Sequence, residues 1–240
     1  MNGVSGENME IISSMVKFPD RSVGCKATSF LARPEKNEPC PAVIVIHEIF
    51  GLVDHIKDVA VRLAREGYVA LAVDLFEGKT VSKLEEARKF REQFTEEKIL
   101  KDLDGAFSFL KDLQYVNPKS IGSVGFCMGG GLSLLFASHN QELAAAAVFY
   151  GRNPSPIDRV KDIQCPILGC YAGADMAIKE SDITLLKQTL TRYGKVFDIK
   201  TYPGAPHGFF NDTRDSYRPD AAKDSWERTL EFFRKYLSSK

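Results

Sequence analysis

At 240 residues, with 44% apolar and 27% charged residues, the chain can bury a core without disulfides or metal. Its 32 Lys and Arg balance 32 Asp and Glu with no long block of one sign, which argues against a nucleic-acid or anionic-membrane surface. No apolar run approaches the roughly 20 residues that span a bilayer.

Met1 to Ser14 lacks a basic start followed by an apolar stretch, so no signal peptide is expected there. The five cysteines (Cys25, Cys40, Cys127, Cys165, Cys170) are odd in number and lack CxxC or zinc-ligand spacing. Reduced thiols and a cytoplasmic location are the expectation.

No repeat, low-complexity segment or Pro/Gly/Ser-rich linker divides the chain, so one α/β domain over residues 1–240 is predicted. Ile11 to Phe18 and Lys26 to Ala32 read as an antiparallel lead-in. Short apolar runs then alternate with helical periodicity, the pattern of a mostly parallel sheet with helices on both faces. The predicted strands are Ala42 to His47, Val69 to Val73, Ile121 to Phe126, Ala145 to Tyr150, Ile167 to Tyr171 and Val196 to Tyr202. Ile56, Val59, Ala60 and Leu63 keep helical spacing, with Asp54 as the predicted N-cap. Ile99, Leu103, Ala106, Phe107 and Leu110 form a second such stripe, and Trp226, Leu230, Phe233 and Leu237 a third. Right-handed crossovers gather the loops after the strands at one sheet edge, where open α/β sheets bind ligands.

Gly125-Phe126-Cys127-Met128-Gly129-Gly130 lies between an apolar strand and a small-residue helix, Gly130 to Ser138. This is the strand–turn–helix context of a nucleophile elbow, with cysteine where G-x-S-x-G has serine. A thiol there sits at a helix N-terminus, which favours a thiolate. The alternative is a buried structural cysteine in a glycine-rich turn. Asp175 follows the strand ending at Tyr171, and His207 follows the one ending at Tyr202. The order Cys, Asp, His is the hydrolase order of nucleophile, acid and base. Alone, Asp175 also reads as a helix N-cap and His207 as a loop histidine. Glu48 follows the strand ending at His47. It reads either as a residue set beside the thiol or as a surface partner of Arg152. The loop after this strand and the residue after the nucleophile supply oxyanion-hole amides, here Ile49 and Met128.

His47-Glu48-Ile49-Phe50-Gly51, the Cys127 elbow, Asp175 and Pro206-His207-Gly208-Phe209 together resemble the dienelactone hydrolase family, over nearly the whole chain. The resemblance implies an α/β-hydrolase fold and hydrolysis of small lactones or esters through a thioester on Cys127. It implies that Glu48 contacts a thiol kept neutral at rest and takes its proton when substrate binds. His207, oriented by Asp175, would protonate the leaving oxygen and activate the deacylating water. No metal or organic cofactor is implied. Relatives that open dienelactones hold the substrate carboxylate with arginines, one of them four residues past the catalytic histidine; here that residue is Asn211, with Arg214 further on. Arg88, Lys89 and Arg91 are candidates for the other anchor or for a solvated helix face, and Arg152 points toward the same edge.

The partner is therefore expected to be a small ester or lactone, acted on by a monomer or small homo-oligomer. A thiol redox sensor on the same fold is the alternative, although it wants a resolving cysteine near Cys127. A non-catalytic binding module would not need all four groups. Gly78-Lys79-Thr80 resembles a P-loop end, but the earlier glycine that motif needs is Val73.

Overall fold

A computed structural model describes residues 10–17, 28–36 and 38–238. Eight strands form one sheet: β1 (Ile11–Lys17), β2 (Thr28–Pro34), β3 (Cys40–Ile46), β4 (Val69–Val73), β5 (Val116–Phe126), β6 (Ala145–Phe149), β7 (Ile167–Ala172) and β8 (Phe197–Tyr202). Their spatial order is β1-β2-β4-β3-β5-β6-β7-β8. The lead-in is antiparallel, with Met15 opposite Phe30, and β2 pairs antiparallel with β4. Every pairing from β4 through β3 to β8 is parallel. Phe18 and the predicted start of β2 at Lys26 lie outside the described residues, as does Cys25.

The continuous apolar run of β3 is what a strand covered on both faces requires. Ala42, Ile44 and Ile46 join a core with α3 (Glu96–Asp112), α4 (Met128–His139) and α5 (Glu180–Arg192). Val43 and Val45 point the other way, against α1 (Asp54–Arg65) and α6 (Pro219–Leu237). The predicted helical stripes lie on these inner faces, where Ile56, Val59, Leu63, Leu103, Phe107 and Phe233 are buried. A shorter helix, α2 (Leu84–Arg91), precedes α3.

Two predicted details differ. The N-cap of α1 is Val53, with no side-chain cap; Asp54 is the first helical residue and bonds Lys57 at 3.0 Å. A carboxylate in the first turn still complements the helix dipole, so the residue type was right and its position one residue off. Strand β5 begins at Val116 rather than Ile121 and contains Pro118, which lacks a ladder donor. The β3–β5 register shifts there, between Cys40 and Ala42.

Candidate active site

Parallel strands β3, β5, β7 and β8 bring Glu48, Cys127, Asp175 and His207 to one edge of the sheet. Cys127 is the N-cap of α4, with φ 55° and ψ −114°. A non-glycine residue in that region carries strain of order 1–3 kcal/mol and holds it only where its surroundings insist. Here they do. The Cys127 amide donates to the Phe149 carbonyl at 3.0 Å, and its own carbonyl accepts from Gly131 at 3.3 Å. A Cβ on Gly125 would collide with the Gly129 carbonyl, and one on Gly129 with the carbonyls of Ile46 and His47. The turn is thus clamped between β3 and β6. Cys127 is half-buried, whereas Cys40, Cys165 and Cys170 are buried.

His207 Nδ1 donates to Asp175 Oδ2 at 2.7 Å. The other oxygen, Oδ1, accepts from the amides of Ala177 at 2.7 Å and Ile178 at 3.0 Å. One oxygen therefore serves the histidine and the other a local bend. Asp175 is not a helix N-cap, because 176–178 form a bend and α5 begins at Glu180 with Lys179 as its N-cap. Burial pushes the Asp175 carboxyl up, but the bond and charge of His207, with the two amides, outweigh it and hold it low. For His207, burial opposes the charged form, yet the bond to Asp175 and pairing with the Cys127 side chain raise its pKa to about 10. With Nδ1 committed to Asp175, Nε2 is the nitrogen left for the thiol.

Glu48 is 3% exposed. Its Oε2 accepts from Asn211 Nδ2 at 2.8 Å rather than pairing with Arg152, which is exposed. Asn211 is buried in turn, and its Oδ1 accepts from Thr213 through the amide at 3.1 Å and the hydroxyl at 2.7 Å. That double acceptance orients the amide so that its NH2 faces Glu48. Both ends of the Asn211 side chain are in use.

The Glu48 loop is set by His47, which sequence reasoning passed over. Its Nδ1 donates to the Glu48 carbonyl at 2.6 Å, and its Nε2 accepts from the Leu75 amide at 3.2 Å. That pair of bonds needs the neutral ring, and burial accordingly holds its pKa down. Gly51 (φ 88°) lets the loop double back, and a Cβ there would lie 2.5 Å from the Lys79 carbonyl. Of the amides expected to face an oxyanion, Met128 opens α4 and has no intrahelical partner. Ile49 donates to no other backbone group among the described residues.

A cleft of about 470 Å³ adjoins this loop and includes Phe50, His55, Asn211, Thr213 and Arg214. The Arg214 guanidinium lies 3.9 Å over the Phe50 ring. Arg88 is exposed on α2 outside this lining, Lys89 pairs with Glu85 on the solvated face, and Arg91 donates to the Phe94 carbonyl at 2.6 Å.

Residues 27–237 match the family model described as the dienelactone hydrolase family. The chain belongs to the dienelactone hydrolase family. A relative from Saccharolobus solfataricus, named "Putative carboxymethylenebutenolidase", is 40% identical over 89% of this chain and 96% of its own length. An Escherichia coli relative of the same name is 33% identical over 96% and 94%. Among solved structures, a "Putative Dienelactone Hydrolase" from Klebsiella pneumoniae is 33% identical, with a TM-score of 0.89 over 95% of this chain and all of that one. An α/β hydrolase from a deep-sea metagenome library shares the fold at 15% identity and a TM-score of 0.72, over 95% of this chain and 99% of its own. The fold is the α/β-hydrolase fold, and family membership makes the protein a lactone- or ester-type hydrolase. No helix among the described residues is long and apolar enough to cross a membrane.

Proposed function

We propose that this protein hydrolyses small lactones or carboxylic esters through a thioester on Cys127. The observation that carries the reading is His207, bonded to Asp175 at 2.7 Å and raised to about 10 beside the elbow cysteine. In this reading His207 Nε2 takes the Cys127 proton, and the imidazolium so formed lies beside the thiolate. The buried Asn211 bond of Glu48 fits that arrangement, since it gives the carboxylate a partner other than the thiol.

The thiolate attacks the substrate carbonyl carbon, and the C=O electron pair moves onto oxygen. The amides of Ile49 and Met128 receive that oxyanion, each worth roughly 3 kcal/mol. Collapse breaks the acyl C–O bond, and the leaving oxygen takes the proton from His207 Nε2. In a lactone that oxygen stays tethered to the acyl group. Water then attacks the thioester while Nε2 takes its proton, and the C–S bond breaks to return acid product, thiolate and imidazolium. Asp175 holds the ring through both halves. The relatives' carboxymethylenebutenolidase name supports a lactone as the substrate class. One domain working in the cytoplasm completes the reading.

Among the described cysteines, Cys165 and Cys170 are poor resolving thiols, because burial pushes both up to about 12. The decisive experiment is Cys127→Ala assayed on lactones and aryl esters. Turnover should fall at least about 1,000-fold with an unchanged circular-dichroism spectrum. Full activity would refute the proposal.

A further inference from the structure

Asn211 lies four residues past His207 and lines the cleft, yet both ends of its side chain are engaged by Glu48 and Thr213 rather than open to a substrate. Its main chain is held as well. The amide donates to the Gly208 carbonyl at 3.0 Å, and the carbonyl accepts from the Arg214 amide at 3.2 Å. The residues after it continue the same connection: Asp212 Oδ1 accepts from His55 Nδ1 at 3.1 Å, and Arg214 stacks on Phe50. Residues 211–214, on the loop that carries His207, are thus joined three times to residues 48–55, which follow β3 and include Ile49. The three links are unequal. Asp212 and Arg214 are exposed, so water competes for both. Asn211 and Glu48 are both buried, and their bond is exchanged for nothing when it breaks.

We propose that Asn211 is a positioning residue that, through Glu48, holds the Ile49 amide in register with His207. The inference rests on the Cys127 hydrolase reading, in which Ile49 receives the oxyanion and His207 serves the leaving oxygen on one acyl carbon. A displacement of about 1 Å between two such groups costs on the order of 100-fold in rate, so a link between their loops matters even though it touches no substrate.

Asn211→Leu removes the bond without adding charge. On an aryl ester, kcat should fall roughly thirtyfold while KM stays within about threefold. A trifluoromethyl ketone takes the Cys127 thiolate at its carbonyl carbon and moves the carbonyl pair onto oxygen, so it leaves an oxyanion in the same place. Its Ki should rise by about the same factor as kcat falls. Iodoacetamide labelling of Cys127 uses the thiol but forms no oxyanion, and should stay within about twofold. Asn211→Asp sets a carboxyl oxygen against Glu48 Oε2, and a proton shared between the two carboxyl groups restores the missing donor. Relative to the parent at each pH, its kcat should be lost at pH about 8 and largely regained at about 5.5. That ratio cancels what Asp54, His55 and Arg214 in the cleft, and Asp175 and His207 beyond it, contribute to both proteins. Unchanged kcat and Ki in Asn211→Leu, or labelling slowed as much as turnover, would overturn the proposal. If Asn211→Leu does not fold, a flat ratio for Asn211→Asp overturns it instead. An active Cys127→Ala variant would sink the hydrolase reading, whereas a dead Cys127→Ala beside a fully active Asn211→Leu would sink only this inference.

Discussion

Two histidine loops flank the elbow, and chemistry has treated them in opposite ways. His47, after β3, is fully enclosed, neutral, and bonded through both ring nitrogens to backbone. His207, after β8, keeps about a third of its side chain exposed, has a carboxylate on one nitrogen, and is driven toward the charged form. The first ring is a strut, and in the proposed mechanism the second is the proton carrier. The difference lies in the partner rather than in the residue. A backbone carbonyl and amide fix a neutral tautomer, whereas a carboxylate partner stabilises the imidazolium. The Glu48–Asn211 bond at 2.8 Å ties the two loops together across 163 residues of chain.

The sharpest way to break the comparison is to give His207 a neutral partner. Asp175→Asn keeps an oxygen for the Ala177 and Ile178 amides, so the turn survives, but it presents an NH2 to His207 Nδ1. The ring then loses its anchor and its reason to be charged. The expected result is a fall in kcat of roughly 1,000-fold or more with little change in fold or KM. A loss below about tenfold would mean that Asp175 only caps its turn.

The strut should respond in the opposite currency. His47→Phe keeps an aromatic ring in place but strands the Leu75 amide and the Glu48 carbonyl in the interior. Each orphaned group costs about 1–3 kcal/mol. Tm should therefore drop by several degrees, measured by thermal denaturation, while kcat falls only roughly tenfold as the Ile49 amide loses its place. Unchanged stability with abolished activity would make His47 a reactive group and erase the distinction.

How much of this was legible follows the same division. Cys127, Asp175 and His207 each lie just past an apolar run, so strand ends and chain order sufficed to nominate them. Glu48 was nominated in the same way, but its partner was not: Asn211 was read as a gap where relatives carry an arginine, and its burial depends on packing that no local spacing encodes. His47 stood inside a quoted motif, yet its role rests on Leu75 from the neighbouring strand connection. Tyr150 looked like the last residue of a strand but follows β6 at φ 39°, and nothing about a tyrosine announces a positive φ. The arginines were the least legible. Arg88 and Arg152 proved exposed, and it is Arg214 that lies over Phe50 in the cleft. Long cationic side chains carry no periodic signal that says which way they turn.

The gentlest test leaves the sequence intact and changes only pH. The ordinary histidine value in an unfolded chain is about 6.5. His207 lies above it in the folded state, at about 10, so its contribution to stability is complete below 6.5 and drains away between 6.5 and 10. His47 lies below it, so its contribution is present above 6.5 and is lost as acid charges the unfolded chain but not the buried ring. The two loops thus pull on opposite limbs of one curve, and Tm should decline on both sides of a maximum near neutrality. Asp175→Asn should flatten the alkaline limb, because the support for imidazolium is gone, and on the acid side should act only below about 4, where the low-held Asp175 carboxyl itself contributes. His47→Phe should flatten the acid limb alone, because no buried ring is left to resist charging. The shifts are expected to be a few degrees at most, since carboxylates and tyrosines titrate beneath them. Flattening of the same limb by both variants at pH above about 4, where Asp175 stays ionised, would show that the two histidines are not the opposed pair described above.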